Sequence, residues 1–150
     1  MERLALPDSG TVYLDSNSIS YTVERIEPYA ELLDPLWHAA GAGQFGIIGS
    51  VLVLLEALVK PLRAGDTLLL DVYRDLLLDS AEYRLVSLDD DIAERAAQLR
   101  AQQGLQTADA IHAATALQQK VRLFVTNDAA FARVPGLPVA LLSEFVGQGS

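Results

Sequence analysis

The fold is predicted from one stretch of the sequence, Thr11-Val12-Tyr13-Leu14-Asp15-Ser16-Asn17. Its first four residues have the composition of a short buried strand. The strand stops at Asp15, and the short polar residues that follow are typical of turns and helix N-caps. In an open α/β sheet, ligands bind just beyond the carboxyl ends of the strands. Asp15 is therefore predicted to lie at the mouth of a binding crevice.

Composition narrows the class of protein. The chain has 150 residues, of which 51% are hydrophobic, so it can form one domain with a sizeable core. The absence of cysteine excludes a disulfide framework, a thiol nucleophile and a thiolate metal site. A net charge of −9 argues against a broad nucleic-acid-binding face, although it permits a small site that meets phosphates through a metal ion. No apolar run is long enough for a membrane span and no signal peptide is recognisable, so a cytoplasmic protein is expected.

Segments with strand character alternate with segments of helical periodicity along the chain. Strands are predicted at residues 11–14, 45–48, 84–88, 121–126 and 137–142. Helices are predicted at residues 19–23, 28–38, 51–62, 67–78, 92–102 and 108–117. This alternation predicts a single three-layer α/β/α domain over residues 1–150, with a mainly parallel central sheet and a loose tail at 146–150.

Three further acidic residues occupy positions that are compatible with a structural role or with a functional site. Glu56 is the lone charge in a segment that is otherwise apolar on all sides, which predicts a buried helix. Glu56 would then pair with Lys60, reach solvent at the edge of the helix, or serve a site. Asp109 opens a helix and Asp128 follows a strand, so each could simply cap the local backbone. His112 is predicted to be a buried packing residue rather than a ligand.

Taken together, the four acids fit a cluster at one edge of the sheet better than four separate explanations. Carboxylates in such a cluster repel one another, so either their pKa values rise or a cation binds among them. Oxygen ligands without cysteine suit a hard cation such as Mg²⁺ or Mn²⁺. A hydrated metal of this kind can support in-line attack of water on a phosphodiester.

At these residues the sequence resembles the PIN-domain family, of the kind found in VapC-type toxins of bacterial toxin–antitoxin pairs. The resemblance covers residues 11–145 and leaves residues 1–10 as an N-terminal extension. No single segment is specific, whereas the ordered set is. The matching segments are YLDSN at 13–17, SVLVLLE at 50–56, PLRAG at 61–65, TADAIHAATA at 107–116 and FVTNDAAF at 124–131.

The resemblance implies a metal-dependent ribonuclease that uses Mg²⁺ or Mn²⁺. It implies a catalytic and metal-binding quartet of Asp15, Glu56, Asp109 and Asp128, in which Asp15 and Asp109 are direct ligands. Glu56 would bind through water or act as a base, and Asp128 would complete a second, weaker site. Supporting polar residues would be Ser16, Asn17 and Thr126.

The same resemblance implies an RNA substrate, a cognate antitoxin protein and a homodimer. Because the chain is acidic, its basic residues would have to gather near the site to hold RNA. The candidates are Lys60, Arg63, Arg74, Arg95, Arg100, Lys120, Arg122 and Arg133.

Three other functions remain open from the sequence. A PIN nuclease in RNA processing would have the same site without an antitoxin, and a catalytically inert PIN-like module would only bind. A phospho-acceptor receiver domain also places an aspartate at a strand end. It further needs a pair of acids just after its first strand and a lysine after a late one, and neither feature is present here.

Overall fold

A computed structural model describes residues 2–146. Its centre is a five-stranded sheet in the order β3-β2-β1-β4-β5, and every pair of neighbouring strands is parallel. The strands are β1 (Thr11–Leu14), β2 (Gly46–Ser50), β3 (Tyr83–Val86), β4 (Leu123–Thr126) and β5 (Val139–Leu141). The segment that ends at Asp15 is therefore the middle strand of the sheet.

Helices cover both faces of the sheet. They are α1 (Ser16–Val23), α2 (Tyr29–Gly41), α3 (Leu52–Ala64), α4 (Thr67–Arg74), α5 (Asp90–Gln103) and α6 (Thr107–Gln118). A π-helical turn, Asp75–Asp79, extends α4, and short 3₁₀ turns cover Ala129–Arg133 and Leu142–Phe145. Buried side chains of α1 to α4 pack on one face and those of α5 and α6 on the other. The prediction of a three-layer α/β/α fold is confirmed.

Alternation along β1 connects the two layers. Val12 and Leu14 face the α1–α4 side, whereas Tyr13 faces the α5–α6 side and stacks on Phe124 of β4 with ring centroids 4.8 Å apart. The side chains of Val12, Tyr13 and Leu14 are all fully buried. A strand buried on both faces reads as a continuous apolar run, which is why so short a segment was recognisable.

The prediction that α3 is buried all round is wrong. Leu55 and Leu62 are 61% and 58% exposed, and only Val53, Ala57 and Pro61 of this helix are fully buried. The helix lies in an outer layer, so only one side of it meets the sheet. The sequence predicts that the segment 61–66 ends this helix, and α3 does end there, at Ala64, followed by Gly65 in the left-handed conformation common at helix ends.

The sequence pattern of residues 67–78 predicts that Leu68, Val72, Tyr73 and Leu76 face inward, and the structure confirms this only in part. Tyr73 is buried, but Leu68 and Val72 are 79% and 49% exposed. The hydroxyl of Tyr73 donates a hydrogen bond to the Glu24 carboxylate, which follows α1, and lies 2.9 Å from the Ser20 hydroxyl of α1, so this side of α4 faces inward. The three acids at 89–91 are predicted from the sequence to cap the helix that follows them. Asp89 does so in the structure, since it accepts a hydrogen bond from the backbone N–H of Ile92 in α5.

Both ends of the described chain pack against the domain. Leu4, in the N-terminal extension, belongs to the core on the α1–α4 side, and Pro7 accepts a hydrogen bond from Gln44 at 2.8 Å. Val146 packs against the same core rather than being loose. The rest of the predicted tail, residues 147–150, lies outside the described residues. Within residues 2–146, no helix has the length and apolarity needed to cross a membrane.

Gly49 of β2 makes room for a tyrosine under the carboxyl end of β1. A methyl group added at Gly49 would lie 1.9 Å from the hydroxyl oxygen of Tyr83 and 3.1 Å from Val53. The Tyr83 ring is buried and its hydroxyl donates to the carbonyl of Leu14, so it cannot easily move aside.

We therefore expect Gly49→Ala to destabilise the fold by about 1–3 kcal/mol, as overpacking of a core usually does. For a domain of this size that loss lowers the melting temperature by about 2–4 °C per kcal/mol in a thermal melt. Gly46→Ala is the control in the same strand, because its methyl group would meet only Thr11 at an ordinary 3.9 Å. Equal melting temperatures for the two variants would contradict the close packing of Tyr83.

Candidate metal centre

Asp15 lies where β1 ends and α1 begins, and it is 7% exposed. It caps α1, since its Oδ1 accepts the backbone N–H of Ser18 at 3.0 Å. Its Oδ2 accepts the hydroxyl of Thr126 at 2.7 Å. Thr126 can reach it because β4 runs beside β1, with Leu14 aligned with Val125. Parallel strand pairing thus brings together two polar residues that are 111 positions apart.

Burial raises the pKa of the Asp15 carboxyl, although the hydrogen bonds from Thr126 and Ser18 oppose that rise. The Ser18 hydroxyl beside it is buried and has no hydrogen-bond partner among the described residues. A hydrated cation at this place would compensate the charge of the buried carboxylate, and its water could be a hydrogen-bond partner for the Ser18 hydroxyl.

Asp109 stands in the first turn of α6 and is partly buried. Burial raises the pKa of its carboxyl first, and the negative charge of Asp128 raises it next. Glu56 and Asp15 add to the rise, while His112 opposes it. Asp15, Glu56 and Asp128 are thus all near enough to Asp109 for their negative charges to raise its pKa.

Glu56 does not pair with Lys60, which the sequence left open as one alternative. Lys60 pairs with Glu24, at 2.5 Å, and Glu56 instead meets His112, whose Nε2 lies 2.7 Å from Oε1. The prediction that His112 is buried is confirmed, since it is 3% exposed. Its contact with Glu56 was missed. The signal was available, because Asp109 and His112 are three residues apart and so share one face of α6.

Of the remaining predicted residues, Asp128 and Thr126 hydrogen-bond to each other near Asp15, whereas in the described part of the chain Ser16 and Asn17 do not contact the acids in this way. Asp128 is exposed and caps the 3₁₀ turn after β4 through the N–H of Ala130, while its own N–H donates to the Thr126 hydroxyl. Thr126 thus connects Asp15 with Asp128. Ser16 and Asn17 lie next to Asp15 in sequence, but within residues 2–146 neither side chain hydrogen-bonds to the acidic cluster. Their supporting role stays a prediction.

The donor set fits a hard divalent cation in its chemistry. In the part of the chain that the structure describes, no group of three or more Asp, Glu or His side chains is arranged to hold a metal ion directly. Mg²⁺ does not need such a cage, because it usually keeps several waters and binds through one or two carboxylates. The acids would hold it with their oxygens; Asp15 is buried, Glu56 and Asp109 are partly buried, and Asp128 is exposed.

The fold and the acidic cluster define an all-parallel α/β domain whose candidate site lies beyond the strand ends, where such folds bind their ligands. The chain belongs to the PIN domain family, whose model matches residues 12–137.

Solved structures with the same fold come from several bacteria. The chain is 21% identical to a chain of VapBC2 from Rickettsia felis bound to a promoter DNA fragment, with a TM-score of 0.68 over 87% of this chain and 98% of that one. It is 20% identical to a chain of FitAcB from Neisseria gonorrhoeae, with a TM-score of 0.65 over 88% and 98%. For VapBC-5 from Mycobacterium tuberculosis, a toxin–antitoxin system, the identity is 25% and the TM-score 0.53, over 90% and 98%. No curated protein matches the chain.

Proposed function

We propose that this chain is a metal-dependent endoribonuclease and the toxin of a type II toxin–antitoxin pair. The observation that carries the proposal is the gathering of Asp15, Glu56 and Asp128 around Asp109, whose pKa all three raise. Membership of the PIN domain family and the fold shared with toxin–antitoxin proteins support it. The alternative of an inert PIN-like module does not explain why the chain has carboxyl groups at Asp15 and Asp109, where the fold raises their pKa and so disfavours their charge.

In this proposal Asp15 and Asp109 hold the first Mg²⁺ or Mn²⁺, and Asp128 contributes to a second, weaker site. A bound divalent ion supplies Lewis acidity, which stabilises the negative charge that develops on phosphate oxygens during hydrolysis. The protein's own part is to orient the acids. Thr126 and the N–H of Ser18 hold both oxygens of Asp15 in place. Glu56 is the base that accepts a proton as water attacks phosphorus.

RNA would approach along a cleft beside Glu56. The cleft is lined by Glu56, Val59, Lys60, Arg63 and Ala64. It therefore has two cationic side chains beside Glu56, of which Lys60 also pairs with Glu24. These cations and the bound metal would offset the repulsion between phosphates and a chain of net charge −9.

The proposed protein partners are an antitoxin and a second copy of the chain. We assign the antitoxin to the apolar side of α3, where exposed side chains recur at spacings of four and three residues on one helix face. They are Val51, Leu55, Val59 and Leu62. Val59 also lines the cleft beside Glu56, so a partner on this surface would lie against the site it inhibits.

Purified protein incubated with total cellular RNA should cut it at discrete sites when Mg²⁺ or Mn²⁺ is present, and chelation with EDTA should stop cleavage. Mapping of new 5′ ends across all transcripts would detect even a single preferred RNA. Metal binding without any new 5′ end would contradict the nuclease and favour the inert module. Cleavage unaffected by the product of a small neighbouring gene would favour an RNA-processing nuclease over a toxin.

A further inference from the structure

A chain of hydrogen bonds runs from the sheet to Glu56 through two buried side chains. The N–H of Ser50 donates to the Tyr13 hydroxyl at 3.0 Å, and that hydroxyl lies 2.5 Å from Nδ1 of His112. Nε2 of His112 lies 2.7 Å from Oε1 of Glu56. The chain thus joins β1, α6 and α3, and both Tyr13 and His112 are almost wholly buried.

The partners determine where the protons sit. Among residues 2–146, the Tyr13 hydroxyl has only Nδ1 of His112 to donate to. If Nδ1 carried a proton, the buried phenol hydrogen would have no acceptor, which is unfavourable. The phenol therefore donates to Nδ1, and the imidazole proton is on Nε2, where it donates to the Glu56 carboxylate. Burial raises the pKa of the Tyr13 phenol well above its usual range, which keeps it protonated.

We propose that His112 is a positioning residue: by donating Nε2–H to Oε1, it holds the Glu56 carboxylate in one orientation and leaves Oε2 as the oxygen that takes up the proton of the attacking water. Tyr13 acts one step further back, since its hydroxyl selects the imidazole tautomer that can donate. The inference rests on the proposed function. The bond from His112 explains why the Glu56 carboxylate on α3, although 29% exposed, is held against α6.

Two substitutions separate the two bonds of His112. In His112→Gln the side-chain amide nitrogen replaces Nε2 and can still donate to Glu56. In His112→Asn the amide oxygen replaces Nδ1, so the bond from Tyr13 is kept and the one to Glu56 is lost. We expect kcat for RNA cleavage to fall about 10- to 100-fold in His112→Asn. It should fall only a few-fold in His112→Gln, and KM should change little in both.

Purely structural damage would give a different pattern. If kcat of the two variants followed their melting temperatures, the positioning role would be overturned. In a Glu56→Gln background, His112→Asn should cause no further loss of kcat, because a residue that acts through Glu56 has nothing left to orient. A full further loss in that background would also overturn the role.

A measurement without RNA keeps this inference separate from the nuclease itself. The chain has two histidines, so nitrogen-15 NMR of the imidazole rings, with His112→Asn for assignment, can identify the tautomer of His112. We expect the Nε2–H form, with its Nε2 resonance shifted by Glu56→Gln. The Nδ1–H form, or an Nε2 resonance whose chemical shift is unchanged in Glu56→Gln, would overturn the inference. An inactive wild-type protein with the expected NMR result would overturn the proposed function alone and leave the Glu56–His112 pair established.

Discussion

Asp109→Asn is expected to lower kcat for metal-dependent RNA cleavage by at least about 1,000-fold, since a catalytic metal supplies several kcal/mol of transition-state stabilisation and each 1.36 kcal/mol is a factor of ten. Asp109 is the residue whose pKa the negative charges of the other three acids all raise. Asparagine keeps its shape but removes the negative charge. Single-turnover cleavage of one mapped RNA at saturating Mn²⁺ measures the effect.

The matched control for this substitution is Asp91→Asn. Asp91 is also an aspartate in the first turn of a helix, α5, but it has no place in the acidic cluster. It should cleave RNA at the wild-type rate, so that a change in helix-end charge is excluded as the cause. Cleavage by Asp109→Asn within ten-fold of wild type would remove Asp109 from the site.

Asp15→Asn should raise the melting temperature of the metal-free protein and abolish the stabilisation that metal gives. The pKa of Asp15 is higher in the folded chain than its usual value, because it is buried. The folded state therefore binds a proton more tightly than the unfolded state, and stability falls as the pH rises from the unfolded pKa through the folded one. At neutral pH the ionised Asp15 destabilises the fold, and asparagine removes that penalty. Each kcal/mol recovered should raise the melting temperature by about 2–4 °C.

The stabilisation of the protein by metal should require the Asp15 carboxylate, which destabilises the metal-free protein. At a hundred times its Kd, a divalent ion that binds only the folded state stabilises the protein by about 2.7 kcal/mol, which corresponds to about 5–10 °C. We expect that shift with Mn²⁺ in the wild type and none in Asp15→Asn. An unchanged metal response in the variant would exclude Asp15 as a ligand.

Asp89→Asn is the control for Asp15→Asn, because both residues cap a helix by accepting the N–H three positions on. The pKa of Asp89 is lowered, chiefly by that backbone hydrogen bond. Its charge therefore stabilises the fold above its usual pKa, so Asp89→Asn should melt at a lower temperature and keep the full metal response. The opposite signs of the two substitutions distinguish a strained site residue from an ordinary cap.

The sequence by itself determined the fold class and the places where the acids occur. A strand buried on both faces is a continuous apolar run, and the polar residue that ends it is visible without any structure. Asp15 and Asp128 follow two such runs, and parallel strands end at a common edge of the sheet. For these residues, local pattern and general rules of sheet topology were sufficient.

Only the tertiary structure decided which groups meet. Glu56 could pair with Lys60 one helical turn away, but its partner is His112, 56 positions distant, whose other nitrogen meets Tyr13, 99 positions distant. In α3 likewise, Glu56, Lys60 and Arg63 mark one polar side, but nothing in the apolar remainder of the helix shows that Leu55 and Leu62 also face outward. Both outcomes depend on how helices pack across the sheet, and packing is a property of neighbours that no local stretch of sequence contains.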